Sequence, residues 1–174
     1  MGPELFGGQI GIPIAVRAGV KLSVGEFPID SEIIPLTEGQ RDYEVMLELG
    51  HSFWPRPAWA QGWVGYRWRE FNERIDRKPG NELFAYATVG GQLGRLTLKL
   101  SGEALVGRTP RLVNVPVGNA RREIYQLFPT VDWRIGPGDV ELGGRFPVAG
   151  QNLPARPALT VGYFFNWRLR PGSG

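Results

Sequence analysis

The sequence predicts an all-β fold, an antiparallel up-and-down transmembrane β-barrel of about eight to ten strands. Three observations predict it: nearly every strand-like run alternates apolar and polar residues, the connections alternate between short and long, and no segment offers a separate core helix. The run Ala158–Leu169 shows the alternation best, because one face carries Leu159, Val161, Tyr163, Phe165, Trp167 and Leu169. A sandwich packs such a face on a second sheet, whereas a membrane barrel turns it to lipid.

The same alternation, followed along the chain, predicts nine strands whose ends are placed to within about two to four residues. Most are longer than the usual globular strand of about five or six residues, and this length suits a tilted membrane crossing. In chain order they are Glu4–Ile12, Ile14–Gly25, Arg41–Phe53, Trp59–Phe71, Glu82–Leu93, Arg95–Gly107, Arg122–Ile135, Asp139–Val148 and Ala158–Arg170. Because single-chain bacterial barrels have even strand numbers, we expect eight to ten strands in the closed sheet.

Proline and glycine mark the connections, which fall into two sets that alternate strictly. Tight turns at one end and longer loops at the other are typical of outer-membrane barrels. The short connections are Gly11–Pro13, Trp54–Pro57, Leu93–Arg95 and Gly136–Gly138. The long connections are Glu26–Gln40, Asn72–Asn81, Arg108–Ala120 and Gly150–Pro157. The last strand is therefore predicted to end on the periplasmic side, beside the short turns.

The composition suits a single domain, residues 1–174, of which 170–174 are expected to be a tail. No run of about 18 apolar residues is present, which excludes a transmembrane helix but not a barrel, where only every second residue is apolar. The chain has no cysteine and therefore no disulfide or thiolate metal site. Its net charge is +3, but basic and acidic residues are interleaved, so no nucleic-acid partner is expected.

Alternation divides the predicted strands into an apolar face, expected to meet lipid, and a polar face, expected to line a lumen. The apolar face includes Val16, Ala18, Val20, Leu22, Val45, Leu47, Leu49, Leu96, Leu98, Leu100, Val140, Leu142, Phe146 and Val148. The residues expected to line the lumen and set its selectivity are Arg17, Lys21, Glu44, Glu48, Arg67, Arg69, Lys99, Glu103, Asp132, Arg134, Asp139, Glu141, Arg145, Asn166 and Arg168. Because both signs occur, two interpretations stay open: the charges pair and plug the interior, or they guide a solute.

Aromatic residues gather near strand ends, as they do in the two interfacial girdles of a membrane barrel. The residues predicted to lie at the membrane interface are Trp54, Trp59, Tyr66, Trp68, Trp133 and Trp167. The alternative is that these rings form the core of a soluble fold.

Patterns for catalysis and metal binding are weak. His51 is the sole histidine and Ser52 follows it, but neighbours on a strand point to opposite faces, so they do not form a base and nucleophile pair. No cluster of His, Cys and carboxylates has metal-ligand spacing. We therefore expect no catalytic residues, no metal, no cofactor and no enzymatic activity.

Four stretches of turn and strand carry a family likeness: Val20–Pro28, Leu47–Phe53, Gly65–Arg69 and Gly150–Ala158. They resemble the outer-membrane family associated with the meta-pathway of phenol degradation, whose members look like relatives of the fatty-acid and aromatic-hydrocarbon channels. The resemblance covers most of the chain from Ile14 onward. It implies about twelve strands, so the chain is expected to be a shortened or engineered version of that barrel.

These observations together predict a passive channel in the bacterial outer membrane. Its expected partners are the lipid bilayer and a small solute, whose aromatic or apolar character is implied by the resemblance alone. Two alternatives stay open. One is a plugged barrel with a structural or adhesive role, and the other is a soluble lipocalin-like barrel whose apolar residues line a ligand cavity.

Overall fold

The computed structural model describes residues 12–22, 40–73, 76–152 and 156–165, and these are largely β-strand. The strands, in chain order, are β1 (Ile14–Lys21), β2 (Asp42–Ser52), β3 (Ala58–Arg69), β4 (Arg77–Lys78), β5 (Glu82–Leu93), β6 (Leu96–Gly107), β7 (Arg111–Leu112), β8 (Val115–Pro116), β9 (Glu123–Ile135), β10 (Gly138–Gln151) and β11 (Ala158–Phe165). One short 3-10 helix, Gly118–Ala120, precedes β9. Across the described ranges, no helix has the length and apolar character needed to span a membrane.

Eight long strands form one antiparallel sheet in the order β1-β2-β3-β5-β6-β9-β10-β11. Each long strand pairs with the long strands before and after it in the chain, so the predicted up-and-down arrangement of an all-β fold is confirmed. Eight of the predicted strands coincide with these eight, while Glu4–Ile12 lies outside the described residues except for its last position. The predicted alternation of short and long connections is also present.

Closure of this sheet into a barrel is not found in the described part of the chain. There β1 pairs with β2 alone, and β11 pairs with β10 alone. The large antiparallel sheet is therefore established, and its closure stays a prediction.

Burial along the strands follows the two-residue period and is opposite to that of a soluble sheet. In β2 the side chain of Asp42 is buried and that of Glu44 is half-buried, while Tyr43 and Val45 are exposed. The buried polar residues of the described chain are Gln40, Asp42, Arg69, Asn72, Glu82, Thr88 and Ser101, whereas Phe84 is the one large apolar residue that is buried there. The sheet therefore buries polar side chains and exposes apolar ones.

The accessible surface agrees with a fold that lacks a conventional core. It amounts to 13528 Å². A compact soluble monomer of 19.3 kDa is expected to expose about 8500 Å². The exposed apolar face of the sheet, against which no second layer packs in the described residues, contributes to this excess.

A second, small sheet joins two of the long connections, with strand order β4-β7-β8. Strands β7 and β8 form a hairpin through Val113 and Asn114, whose φ angles of 48° and 59° suit the two-residue turn. Arg77 of β4 then pairs with Leu112 of β7. The sequence predicts plain loops over both segments, so these short strands are an addition to the prediction.

Glycines on the enclosed face make room for large rings on neighbouring strands. A Cβ added at Gly65 would lie 2.5 Å from Phe84 Cε2, and one added at Gly90 would lie 2.4 Å from Trp59 Cζ2. Each ring therefore rests directly on the backbone of the adjacent strand. This packing explains why glycines occur inside strands, where they otherwise lower strand stability.

Candidate functional site

The candidate site is the face of the large sheet that carries the buried polar side chains, here called the inner face. Strand register defines it, because Arg17 lies opposite Met46, Glu44 opposite Arg67, and Tyr86 opposite Glu103. Every predicted lumen residue that is described lies on this face: Arg17, Lys21, Glu44, Glu48, Arg67, Arg69, Lys99, Glu103, Asp132, Arg134, Asp139, Glu141 and Arg145. Asn166 and Arg168 lie outside the described residues.

The end of the inner face beside the long loops carries an ionic cluster centred on Glu82, which is 1% exposed. Its carboxylate accepts hydrogen bonds from Arg67 Nη1 at 3.0 Å, Arg69 Nη1 at 3.3 Å and Arg122 Nη1 at 2.9 Å. We call these four residues, with Asp42 and Glu44, the Glu82 cluster. Three guanidinium groups around one buried carboxylate provide the opposite charge that burial of an ion requires.

The two other carboxylates of the Glu82 cluster lie toward β1. Glu44 Oε2 accepts from Arg67 Nε at 3.1 Å and Nη2 at 3.0 Å, while Asp42 lies 3.4 Å from both Arg69 Nε and Lys21 Nζ. These side chains border an open cleft of about 400 Å³, whose lining reaches from β1 to Arg122. A space of this size and polarity admits water and small polar solutes.

A second ionic cluster lies toward the short-turn end of the inner face. Lys99 Nζ lies 3.0 Å from Asp132 Oδ2 and 3.0 Å from Glu141 Oε2. Arg134 pairs with Asp139 at 3.5 Å nearer the turn. Lys99 thus connects β6 directly to β10, across the intervening β9.

Between the two clusters, the inner face carries aromatic rings. Trp63 stacks on Tyr86 with ring centroids 5.4 Å apart and meets Phe84 edge-on at 5.7 Å. The Tyr86 hydroxyl donates to Ser101 Oγ at 3.0 Å, and Ser101 Oγ donates to Thr88 Oγ1 at 2.8 Å. The interior is therefore amphipathic rather than uniformly charged.

Near these rings lie three polar groups that do not belong to either ionic cluster. Gln126 Nε2 donates to Glu103 Oε2 at 2.7 Å, which leaves Gln126 Oε1 facing away from the carboxylate. Gln126 Oε1 and Arg145 Nε are both buried, and neither has a hydrogen-bond partner among the described residues. A donor and an acceptor are thus both unsatisfied on the adjacent strands β9 and β10.

The outer face is almost free of charge. In the described strands, residues in phase with Val45, Leu98 and Val131 include no Lys, Arg or Asp, and the one acidic residue is Glu123 at the loop end of β9. Glu123 Oε1 accepts from the Tyr125 hydroxyl at 3.1 Å, and the Glu123 carboxylate also pairs with Arg121. The predicted separation of charged and apolar residues onto two faces is therefore present.

The predicted interface aromatics that the structure describes divide into three groups. Tyr66, Trp68 and Trp133 lie on the outer face, and the rings of Tyr66 and Trp68 meet edge-on at 4.8 Å. Trp54 lies exposed in the β2–β3 turn. Trp59 differs from the expectation, since its register partners Ser52 and Gly90 place it on the inner face. Trp167 lies outside the described residues.

Sequence reasoning missed Glu82, Arg122 and Gln126 as inner-face residues. The available signal was the phase of β5, where Glu82 alternates with Leu83 and shares its face with Thr88. Two aromatic residues in the same phase, Phe84 and Tyr86, concealed this pattern.

The inner face offers binding groups rather than a catalytic set. His51 lies on the outer face and meets Phe53 edge-on at 4.9 Å, whereas Ser52 lies on the inner face. Within the described ranges, no group of three or more His, Asp or Glu side chains is arranged to hold a metal ion. No family model, curated protein or solved structure matches this chain.

Proposed function

We propose that this chain forms a transmembrane β-barrel in the bacterial outer membrane, and that its inner face lines a passive channel for a small solute. The single observation that carries the proposal is the inverted distribution of polarity. Charged side chains share the inner face, while the outer face between the aromatic ends of the strands is apolar and exposed. Water disfavours such an outer face, whereas hydrocarbon favours it.

The length of the strands fits the thickness of a bilayer. Strand β5 contains 12 residues. At about 3.4 Å per residue and a tilt of about 45°, such a strand spans about 26 Å along the membrane normal. The apolar band of an outer-membrane barrel is about 25 Å tall. The outer-face residues of β5, from Leu83 to Leu93, are all apolar or glycine, so the apolar band covers the whole strand.

Barrel closure is part of the proposal. The free sides of β1 and β11 carry backbone N–H and C=O groups, and hydrocarbon offers these groups no hydrogen-bond partner. A sheet with this outer face therefore requires its edges to be paired when it lies in a bilayer. Pairing of both edges encloses the inner face as a lumen.

The open cleft and the aromatic rings lie on the same face of the sheet, and this arrangement favours a channel over a purely structural barrel. Register places Trp63 and Tyr86 further from the loop end than the cleft beside the Glu82 cluster, so a solute entering from that end would meet charge first and rings second. The proposed aromatic or apolar character of the solute is supported by these rings.

A second candidate function is a plugged barrel that displays its loops. The ion pairs of the inner face favour it, because Lys99 joins β6 to β10 and Arg122 reaches Glu82 across β6. Such contacts rigidify an interior and narrow its lumen. A lipocalin-like binder is less favoured, since it needs its apolar residues on the enclosed face.

Conductance in planar lipid bilayers separates the two candidates. We expect discrete current steps from the reconstituted chain, and a changed step size in Lys99→Gln, which releases the connection between β6 and β10. Thr109→Gln, in a loop outside the large sheet, is the matched control and should leave the step size unchanged. Insertion into the bilayer without any steps would support the plugged barrel and overturn the channel.

A further inference from the structure

We propose that Arg145 and Gln126 form a binding site on the inner face for a monocarboxylate that also carries a hydroxyl group. The inference rests on the proposed channel function and names the class of solute that its interior recognises. It depends on charge pairing, on two unsatisfied buried atoms and on the rings that continue the same row of side chains.

Arg145 is the exception in a face of paired cations. Each other inner-face cation of the described strands has a carboxylate within 4 Å; these cations are Arg17, Lys21, Arg67, Arg69, Lys99 and Arg134. Among the described residues, Arg145 has no such partner, and its Nε is buried without a hydrogen-bond acceptor. Arg145 is half-buried, and leaving its buried Nε–H without an acceptor is costly, so an anionic ligand that accepts a hydrogen bond from this atom stabilises it.

Gln126 supplies the second contact. Its amide nitrogen is held by Glu103 at 2.7 Å, so its oxygen is directed to the other side and has no donor among the described residues. Because this oxygen only accepts, the ligand must bring an N–H or O–H group. A cationic donor would be repelled by Arg145, and a neutral hydroxyl is therefore the best fit.

The spacing of the two residues suits one small molecule. Arg145 shares the inner-face phase of Glu141 on β10, and Gln126 lies opposite Pro147, two residues further along that strand. Diagonal neighbours of this kind are roughly 7 Å apart at Cβ. A carboxylate on Arg145 and an adjacent hydroxyl on Gln126 span that interval. The nearby Glu103 carboxylate disfavours a dianion such as phosphate, which leaves a monoanion.

The inner-face residues that lie across the neighbouring strands from Gln126 include aromatic side chains. Register places Gln126 opposite Glu103, Glu103 opposite Tyr86, and Tyr86 opposite Trp63. An apolar or aromatic group on the ligand would therefore point toward the stacked rings of Trp63 and Tyr86. Mandelate, which combines a phenyl ring, a hydroxyl and a carboxylate, is the probe that matches all three features.

Calorimetric titration of the full chain in detergent micelles tests the site directly. We expect mandelate to bind more tightly than phenylacetate, which lacks the hydroxyl, and than mandelamide, which lacks the charge. Arg145→Gln should weaken mandelate binding about tenfold or more, the effect of a lost charge-assisted pair, while Arg145→Lys should retain part of the affinity. Gln126→Leu should remove the preference for mandelate over phenylacetate.

Arg111→Gln is the matched control, because it removes the same charge from an exposed residue of β7, outside the large sheet. It should leave the affinity for mandelate within about twofold of the original chain. Equal binding of mandelate and mandelamide, or unchanged binding by Arg145→Gln, would overturn the site. Proteoliposome swelling is a separate readout: binding without solute entry contradicts the channel alone, whereas entry without Arg145-dependent binding contradicts the site alone.

Discussion

Glu82 shows how a single carboxylate organises the loop end of the inner face. It is 1% exposed and contacts Arg67, Arg69 and Arg122, which come from β3 and from the segment before β9. Neutralising it leaves these guanidinium groups close together, with Asp42 and Glu44 as the remaining carboxylates of the cluster. Breaking a buried ion pair in this way is far more damaging than removing an exposed one.

We therefore predict that Glu82→Gln lowers the free energy of unfolding in detergent micelles by about 3–5 kcal/mol. The control Glu48→Gln removes the pair with Arg17, whose side chain is largely exposed, and should cost about 0–1 kcal/mol. Urea unfolding followed by tryptophan fluorescence measures both values. Equal midpoints for the two variants would show that the Glu82 cluster does not stabilise the fold.

At this scale the sequence predicted the faces of charged residues well and their partners poorly. Alternation alone placed Arg67, Lys99 and Arg145 on the inner face, because the side-chain period of a strand is two. Partners depend on register between strands and on side-chain reach. The contact of Arg122 with Glu82 therefore had no local signal, and Trp59 was assigned by its position near a turn rather than by its phase.

At the scale of the strand, two leucines with similar exposure have different expected environments. Leu100 lies near the middle of β6 on the outer face and is 48% exposed, while Leu112 lies in β7 of the small sheet and is 47% exposed. We predict that Leu100→Arg lowers the stability of the bilayer-inserted chain by about 2–4 kcal/mol, because the charge enters hydrocarbon. Leu112→Arg should change it by less than about 0.5 kcal/mol, as for an ordinary surface substitution.

Unfolding in lipid vesicles, followed by the loss of heat-resistant mobility on gels and by tryptophan fluorescence, measures this difference. Two similarly small effects would mean that Leu100 faces water, and the assignment of the outer face to lipid would then be wrong.

The long strands were predictable, and the small sheet was not, for a physical reason. Each long strand carries its own periodic pattern, and several ends are marked by Gly or Pro, as at Gly136 and Pro137, so its existence is encoded locally. Strand β4 exists through pairing of Arg77 with Leu112, which lies far along the chain. A strand of two residues is too short to show a periodic pattern, and neither loop sequence indicates the segment with which it pairs.

At the scale of the molecule, the sheet separates charge from apolar surface more completely than packing alone requires. A soluble sheet packs its apolar side against another layer, so its buried residues are mostly apolar. The described strands instead bury Asp42, Arg69 and Glu82 while exposing rows of leucine and valine. The proposed bilayer would supply the missing layer, and the proposed barrel closure would supply the missing edge pairing.

Site-directed spin labelling along β6 tests this sidedness most directly. The chain has no cysteine, so a single cysteine at each position from Leu96 to Leu100 gives one label at a time. In lipid vesicles, labels at Leu96, Leu98 and Leu100 should collide with membrane-dissolved oxygen and be shielded from a water-soluble nickel chelate, while Thr97 and Lys99 should show the reverse. Equal access of the nickel chelate to all these positions would contradict the inverted fold.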